Sequence, residues 1–87
     1  MESGTARVIL YTRQGCHLCE AARALVIAES AKVGASWTEI DVATAPELEL
    51  EHGDLVPVVV VDGVRRGFWR IDPERLRRAL TANQPSQ

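Results

Sequence analysis

Both cysteines of this chain lie in the segment CHLC, where Cys16 and Cys19 are three residues apart. Such a pair can form a structural crosslink, supply half of a zinc site or exchange disulfides with other thiols. A crosslink that closes so short a loop constrains the unfolded chain little. Zinc needs about four ligands, and the remaining candidates are His17 and His52, of which His17 lies between the cysteines and cannot easily point at the same metal. The spacing therefore favours a redox pair without a metal; the alternatives are a zinc ion shared across a dimer and two cysteines that only pack in the core.

The residues on either side of this pair predict the elements that would hold it. The run RVILYT, residues 7–12, is rich in β-formers and predicts a buried strand. Residues 17–33 are rich in alanine, leucine and glutamate and are followed by Gly34, so they predict a helix with a glycine cap. The helical spacing assigns these residues to its inward face: Leu18, Ala22, Leu25 and Ala28 or Glu29. Residues 36–42 alternate as a second strand. A strand, a helix and a strand in this order form a right-handed parallel unit, with Cys16 at the start of the helix.

The middle of the chain predicts a short helix and a hairpin. Residues 46–52 are typical of a short helical turn, and the apolar run 58–61 suits a strand that is buried on both faces. The dipeptide Asp62-Gly63 between β-prone runs is a hairpin signal. The second arm, residues 64–70, contains Gly67, which predicts a bulge.

The end of the chain predicts a final helix. Asp72 is a good N-cap and Pro73 suits the first helical position. The residues of this helix predicted to face inward are Leu76, Ala79 and Leu80. The whole order, β-α-β-short α-β-β-α, predicts an α/β fold in which helices flank a four-stranded mixed sheet with one parallel pair and one antiparallel hairpin.

The predicted fold assigns different roles to the two cysteines. Cys16 falls at a helix N-terminus, where free N–H groups and the helix dipole favour a thiolate over a thiol. Arg13 lies nearby in the sequence and adds to the same positive field. Cys19 follows one helical turn later on the same face and would point further into the domain. We therefore expect Cys16 to attack a substrate disulfide and Cys19 to resolve the mixed disulfide, so that the chain acts as a small dithiol–disulfide oxidoreductase.

Length and composition limit the other possibilities. The 87 residues predict one domain, 1–87, with a core of about 6–81 and loose ends at roughly 1–5 and 82–87. No apolar run of about 18 residues and no secretory signal is seen, so we expect a cytoplasmic protein with no membrane partner. The net charge of −2 argues against nucleic-acid binding. We also expect a monomer with no bound cofactor.

The chain resembles the glutaredoxin branch of the thioredoxin fold. The resemblance is carried by VILYTRQGCHLC, by VPVVVVDG at residues 56–63, and by Gly67 followed by a final helix. It implies that Pro57 is cis and faces the cysteine pair; from the residues alone, the alternative is a trans proline that simply starts a strand. A cis proline would leave the carbonyl and N–H of Val56 free to pair with an extended substrate segment. It further implies that Arg13 and Val56 match substrate-binding residues of the family. Independently of the resemblance, His17 at the helix start is expected either to donate to the Cys16 thiolate or to be simply solvated.

Two departures from the family concern the electron donor. Members that use glutathione carry Pro-Tyr or Pro-Phe inside the motif, and a Gly-Gly-x-Asp stretch whose acid holds the γ-glutamyl end of glutathione. This chain has His17-Leu18 and Gly67-Phe68-Trp69-Arg70 at those places, which predicts poor use of glutathione. The segment GFWRIDPERL resembles the redoxins that serve ribonucleotide reductase. The expected donor is therefore an external thiol or a thioredoxin-reductase-type enzyme, and the expected partner is a disulfide-containing protein or a low-molecular-weight thiol.

Charge is distributed unevenly along the chain. Residues 38–54 hold six acids and neither lysine nor arginine, whereas arginines crowd the last third at positions 65, 66, 70, 75, 77 and 78. Such an arginine face would steer an acidic partner. The alternative function is accordingly a non-catalytic thioredoxin-fold interaction module that uses this face.

Among the remaining residues, His52 is predicted to lie in an exposed loop and Trp37 in the core. Phe68 and Trp69 are predicted to be either core or an apolar rim for a partner.

Overall fold

The computed structural model describes residues 6–82 and confirms the predicted α/β fold. The strands are β1 (Val8–Thr12), β2 (Trp37–Asp41), β3 (Val58–Val61) and β4 (Val64–Phe68). The helices are α1 (His17–Val33), α2 (Pro46–His52) and α3 (Pro73–Ala82). The predicted loose ends lie outside the described residues, apart from Ala82, which ends α3. None of the helices within residues 6–82 is long and apolar enough to cross a bilayer.

The sheet has the order β2-β1-β3-β4. β1 runs parallel to β2 and antiparallel to β3, with Tyr11 opposite Val58. β3 pairs antiparallel with β4 through a turn at Asp62 and Gly63, both of which have positive φ, as a two-residue hairpin turn requires. The end of β1, the start of β3 and the end of β4 therefore meet at one end of the sheet, where the chain enters α1.

One face of the sheet carries the core. Successive residues of a strand point to opposite faces, and in β1 Val8 and Leu10 are fully buried whereas Ile9 and Tyr11 are partly exposed on the other side. α1 and α3 cover the buried face. The buried cluster consists of Val8, Leu10, Ala22, Val26, Val59, Val61, Leu76, Ala79 and Leu80. The three residues predicted to face inward from the last helix are thus confirmed, and Trp37 packs partly buried against the same cluster.

The last strand differs from its prediction in two ways. β4 ends at Phe68 instead of Arg70, because Trp69 adopts a left-handed φ of 61° and its N–H turns to donate to the carbonyls of Leu55 and Pro57. The bulge falls at Arg66, beside the predicted Gly67: Val59 lies opposite Gly67, but Val60 lies opposite Arg65. Arg66 is therefore the extra residue of the outer strand.

A buried carboxylate connects the two helices on the core face. Glu29 of α1 is almost fully buried and accepts two hydrogen bonds from Arg77 of α3, at 3.1 and 3.0 Å, and one from Lys32 at 3.1 Å. These cations lower the pKa of Glu29 from its ordinary 4.5 to about 2, with the Arg77 hydrogen bonds as the main cause and the Lys32 bond second. Glu29 is thus ionised in the folded protein and joins α1 to α3 by charge-assisted bonds.

We expect Glu29→Gln to destabilise the protein in a pH-dependent way. The folded-state pKa lies below the ordinary value, so the carboxylate contributes its full stability above about pH 4.5 and loses it as the pH falls towards 2. The difference in melting temperature between wild type and Glu29→Gln should therefore be largest near neutral pH and shrink in acid. The exposed Glu47→Gln is the control, and an equal melting temperature of Glu29→Gln and wild type at neutral pH would contradict the role of the ion pair.

Candidate functional site

The cysteine pair lies where β1 passes into α1. Gly15, with a φ of 77°, turns the chain after the strand, and Cys16 is the N-cap of α1 in an extended conformation. The Cys16 Sγ accepts a hydrogen bond of 3.1 Å from the backbone N–H of Cys19. The two cysteines form a disulfide, with their Cα atoms 5.2 Å apart. The motif therefore takes the position that the sequence predicts, at the first turn of the helix.

The two sulfur-bearing residues differ in exposure. Cys16 is half-buried, whereas only 1% of Cys19 is exposed. The unpaired N–H groups and the dipole of the helix N-terminus favour negative charge on the Cys16 sulfur. An incoming disulfide can thus reach Cys16, while Cys19 stays behind it within reach of the Cys16 sulfur.

The loop before β3 provides a second wall of the site. The Val56–Pro57 peptide bond is cis, and Pro57 is fully buried. Since Val58 lies opposite Tyr11, this loop reaches the sheet end at which β1 leads towards Cys16. The neighbouring carbonyls of Leu55 and Pro57 both accept from the Trp69 N–H. Within residues 6–82 no hydrogen bond to the main chain of Val56 is found.

Arg13, a predicted substrate-binding residue, is held by other parts of the chain. Its guanidinium donates two hydrogen bonds to Glu49 of α2, at 2.9 and 2.8 Å, and one of 3.0 Å to the carbonyl of Gly53. The pairing lowers the pKa of Glu49. A Cβ on Gly53 would lie 2.5 Å from the Glu49 carbonyl and 2.9 Å from the Arg13 guanidinium, so only glycine fits there. Arg13 thus ties α2 and the following turn to the loop before Cys16.

The two histidines lie in different surroundings. His17, the first residue of α1, is exposed beside Cys16. The prediction that His52 lies in an exposed loop is wrong: His52 ends α2, is only 6% exposed and stacks on Tyr11 with ring centroids 4.2 Å apart. It is buried because α2 packs its last turn over the face of the sheet that carries Tyr11. Across the described residues, no group of three or more potential metal ligands comes together.

Three exposed apolar side chains lie at the end of the sheet where α1 begins. Leu18, which the helical spacing assigned to the inward face, is 37% exposed because the first turn of α1 extends past the core. Phe68 and Trp69 are 46% and 56% exposed, and the Trp69 indole donates to the carbonyl of Asp54 at 3.3 Å. Sequence reasoning missed the left-handed Trp69, because no local signal marks a tryptophan for that conformation.

The sequence is similar to a known protein family and to proteins of two mycobacteria. The sequence profile of the glutaredoxin-like domain (DUF836) matches residues 7–81. An uncharacterized protein of Mycobacterium tuberculosis is 37% identical over 76 residues, which cover 82% of this chain and 78% of that protein. A matching uncharacterized protein of Mycobacterium bovis has the same identity and coverage.

Solved structures of other proteins share the fold of this chain. A structural-genomics target protein of X. campestris superimposes with a TM-score of 0.72 at 30% identity, covering 88% of this chain and 99% of that chain. The glutaredoxin Grx-1 of Archaeoglobus fulgidus shares the fold at 20% identity, with a TM-score of 0.63 and coverage of 88% of both chains. The profile match, the thioredoxin-like fold and the disulfide at the start of α1 lead to one conclusion: the chain belongs to the glutaredoxin-like domain family.

Proposed function

We propose that the protein is a small dithiol–disulfide oxidoreductase in which Cys16 is the nucleophile and Cys19 the resolving thiol. The observation that carries the proposal is the unequal exposure of the two disulfide-linked cysteines at the N-terminus of α1. Redox activity of a CxxC pair depends on one sulfur that is accessible and stabilised as a thiolate, and on a second sulfur within reach of the first. Both conditions are favoured at this helix start.

The proposed reaction transfers two electrons from the protein to the substrate. In the reduced protein, the Cys16 thiolate attacks one sulfur of the substrate disulfide, forms a mixed disulfide and expels the first substrate thiolate. Cys19, once deprotonated, then attacks the Cys16 sulfur, forms the Cys16–Cys19 disulfide and expels the second substrate thiolate. Each released thiolate takes up a proton according to its own pKa. The substrate is reduced to two thiols and the protein is oxidised.

The surroundings of the pair support the binding of an extended polypeptide. The main-chain groups of Val56 can pair with the strand that carries the substrate disulfide, as in β-strand addition. The exposed side chains of Leu18 and Trp69 offer apolar contacts at the same end of the sheet. Arg13 acts in this proposal by holding the loop before Cys16 in place, and the exposed His17 is available to donate to the Cys16 thiolate.

Turnover requires a source of electrons outside the protein. We propose an external thiol or a thioredoxin-reductase-type enzyme, which returns two electrons to the Cys16–Cys19 disulfide. In this scheme the protein works as a cytoplasmic monomer in thiol-based electron transport, with the cysteine pair as its only redox group.

Reduction of insulin with dithiothreitol as the electron source tests the activity. We expect the protein to accelerate the precipitation of insulin chains well above the rate with dithiothreitol alone, because the helix-start thiolate attacks disulfides faster than an ordinary thiol. Protein alkylated at its cysteines is the control. A rate equal to that of the alkylated protein, together with a failure to reduce a small aromatic disulfide, would refute the proposal and favour the interaction module.

A further inference from the structure

Eight of the nine arginines of this protein fall into two groups. Four are engaged by carboxylates in short, two-point contacts of 2.7–3.1 Å; these pairs are Arg7–Asp62, Arg13–Glu49, Arg23–Glu39 and Arg77–Glu29. The arginines that line the outer side of β4 and α3 have no such partner among the described residues. These are Arg65, Arg66, Arg75 and Arg78. Among the described residues, the protein thus pairs the first group with its own carboxylates and leaves the second group without a two-point partner.

The four open arginines share one groove of about 510 Å³ between β4 and α3. Arg65 lies over the ring of Phe68, with its guanidinium carbon 5.8 Å from the ring centroid. Arg66 is the bulged residue, and its Nε is buried without a hydrogen-bond partner within residues 6–82. Arg78 makes only a long contact of 3.9 Å with the exposed Glu74. Guanidinium groups in this condition bind carboxylates with little competition from the protein itself.

The shape of the groove suits a polypeptide better than a compact anion. Its cations are spread along the strand and along the body of α3, instead of converging at a helix N-terminus as in phosphate sites. Its floor includes Phe68 and Ala79, which offer apolar contact between the charges. β4 is also an edge strand: among residues 6–82, no strand pairs with one side of its backbone, which can therefore pair with an added strand.

The position of the groove relates it to the cysteine site. Phe68 lies at one end of it, and the next residue, Trp69, donates its N–H to the carbonyl of Pro57. An extended segment that runs along β4 would therefore leave the groove beside the loop that flanks the cysteine pair.

We propose that this groove binds an acidic, extended segment of the protein substrate and so selects acidic disulfide-bearing proteins. The substrate part of this proposal rests on the proposed oxidoreductase function, whereas the binding of an acidic segment does not. The carboxylates of the segment pair with the four open guanidiniums, and its backbone adds to the free edge of β4. Charge complementarity decides the occupant. The net charge of the protein is −2 and the rest of the molecule is acidic, so an acidic segment is attracted to this groove and repelled by the remaining surface.

Fluorescence anisotropy with a labelled peptide tests the binding directly. The probe is a short fluorescein-labelled peptide in which glutamate alternates with valine, and the control peptide has glutamine in place of glutamate. The glutamate peptide should bind wild-type protein, and Arg75→Gln/Arg78→Gln should weaken that binding by about tenfold, since the loss of each ion pair at a wet surface lowers the affinity by about threefold. The matched control is Ala24→Glu/Ala28→Glu, which changes the net charge equally on the exposed side of α1 and should leave binding unchanged.

Three results would overturn the groove as an acidic-peptide site. One is equal binding of the glutamate and glutamine peptides to wild type. Another is an equal loss in the two double variants, which would reveal a general charge effect. The third is tighter binding of inorganic triphosphate or of a thymidine oligonucleotide than of the glutamate peptide, since each belongs to a different class of ligand.

A second arm of the experiment separates the groove from the redox chemistry. Two disulfide-bonded peptides, one with an acidic arm and one with a glutamine arm, are given to reduced protein. Arg75→Gln/Arg78→Gln should lower kcat/KM for the acidic substrate by about tenfold and leave the glutamine substrate unchanged. An equal effect on both substrates would contradict the selection of acidic substrates. If wild type reduces neither substrate, the oxidoreductase proposal fails, while the anisotropy result still decides the binding site.

Discussion

Cys16→Ser will abolish disulfide reduction, with a fall in rate on the order of a hundredfold or more, because it removes the sulfur that forms the mixed disulfide. Serine is itself a favoured N-cap, so it can accept the hydrogen bond that the Cys16 Sγ now takes from the Cys19 N–H. The loss should therefore appear without a large change in melting temperature. The measurement is the initial rate of reduction of insulin or of a small disulfide, alongside thermal unfolding.

Cys19→Ala should instead trap the substrate on the protein. With no second thiol to expel it, the substrate stays bound to Cys16 as a mixed disulfide that non-reducing electrophoresis and mass spectrometry detect. Alanine is chosen because Cys19 is buried, where a serine hydroxyl would need a new hydrogen-bond partner. Trapping by Cys16→Ser in place of Cys19→Ala would reverse the two roles.

The second large effect concerns glutathione, which we expect to be a poor substrate of the wild-type protein. Family members that bind glutathione present an acid to its γ-glutamyl ammonium, and this chain has the exposed Arg70 there. Two like charges about 4 Å apart cost on the order of 1 kcal/mol in water, and loss of the acid's attraction adds a similar amount. The affinity should fall by about tenfold or more.

The double variant Phe68→Gly/Arg70→Asp should raise the turnover of a glutathionylated peptide towards that of a typical glutaredoxin. Both changes are needed, because this chain has the bulky Phe68 where the glutathione-using members have a glycine. The single variants are the matched controls, and we expect each to recover less than the pair. If wild-type protein already removes glutathione at rates typical of glutaredoxins, the charge argument at Arg70 is wrong.

The fold followed from the sequence because its signals are local and strong. The apolar run 58–61, the Asp62-Gly63 turn and the Asp72-Pro73 start each depend on neighbouring residues alone, and all three are confirmed. The position of Cys16 at the start of α1 was predictable for the same reason, since the helix formers begin directly after it.

The features that the sequence did not predict depend on contacts between distant residues. Arg13 and Glu49 are 36 residues apart, and nothing local indicates that one will hold the other. In α1 the helical spacing left Ala28 and Glu29 as equal candidates for the inward face, and Arg77 on α3 explains why the charged residue is the buried one. His52 was assigned to an exposed loop because it lies beside Gly53, whereas its burial depends on Tyr11 in another element.

Competition labelling of the reduced protein tests the central claim most directly. The protein is exposed to a brief, limiting pulse of iodoacetamide, the remaining thiols are blocked with a second reagent, and the peptide containing both cysteines is sequenced by mass spectrometry. The proposed roles predict that the first label lies overwhelmingly on Cys16, since that thiol is accessible at the helix start and Cys19 is buried behind it. Labelling that falls first on Cys19, or equally on the two cysteines, would contradict the assignment of Cys16 as the nucleophile.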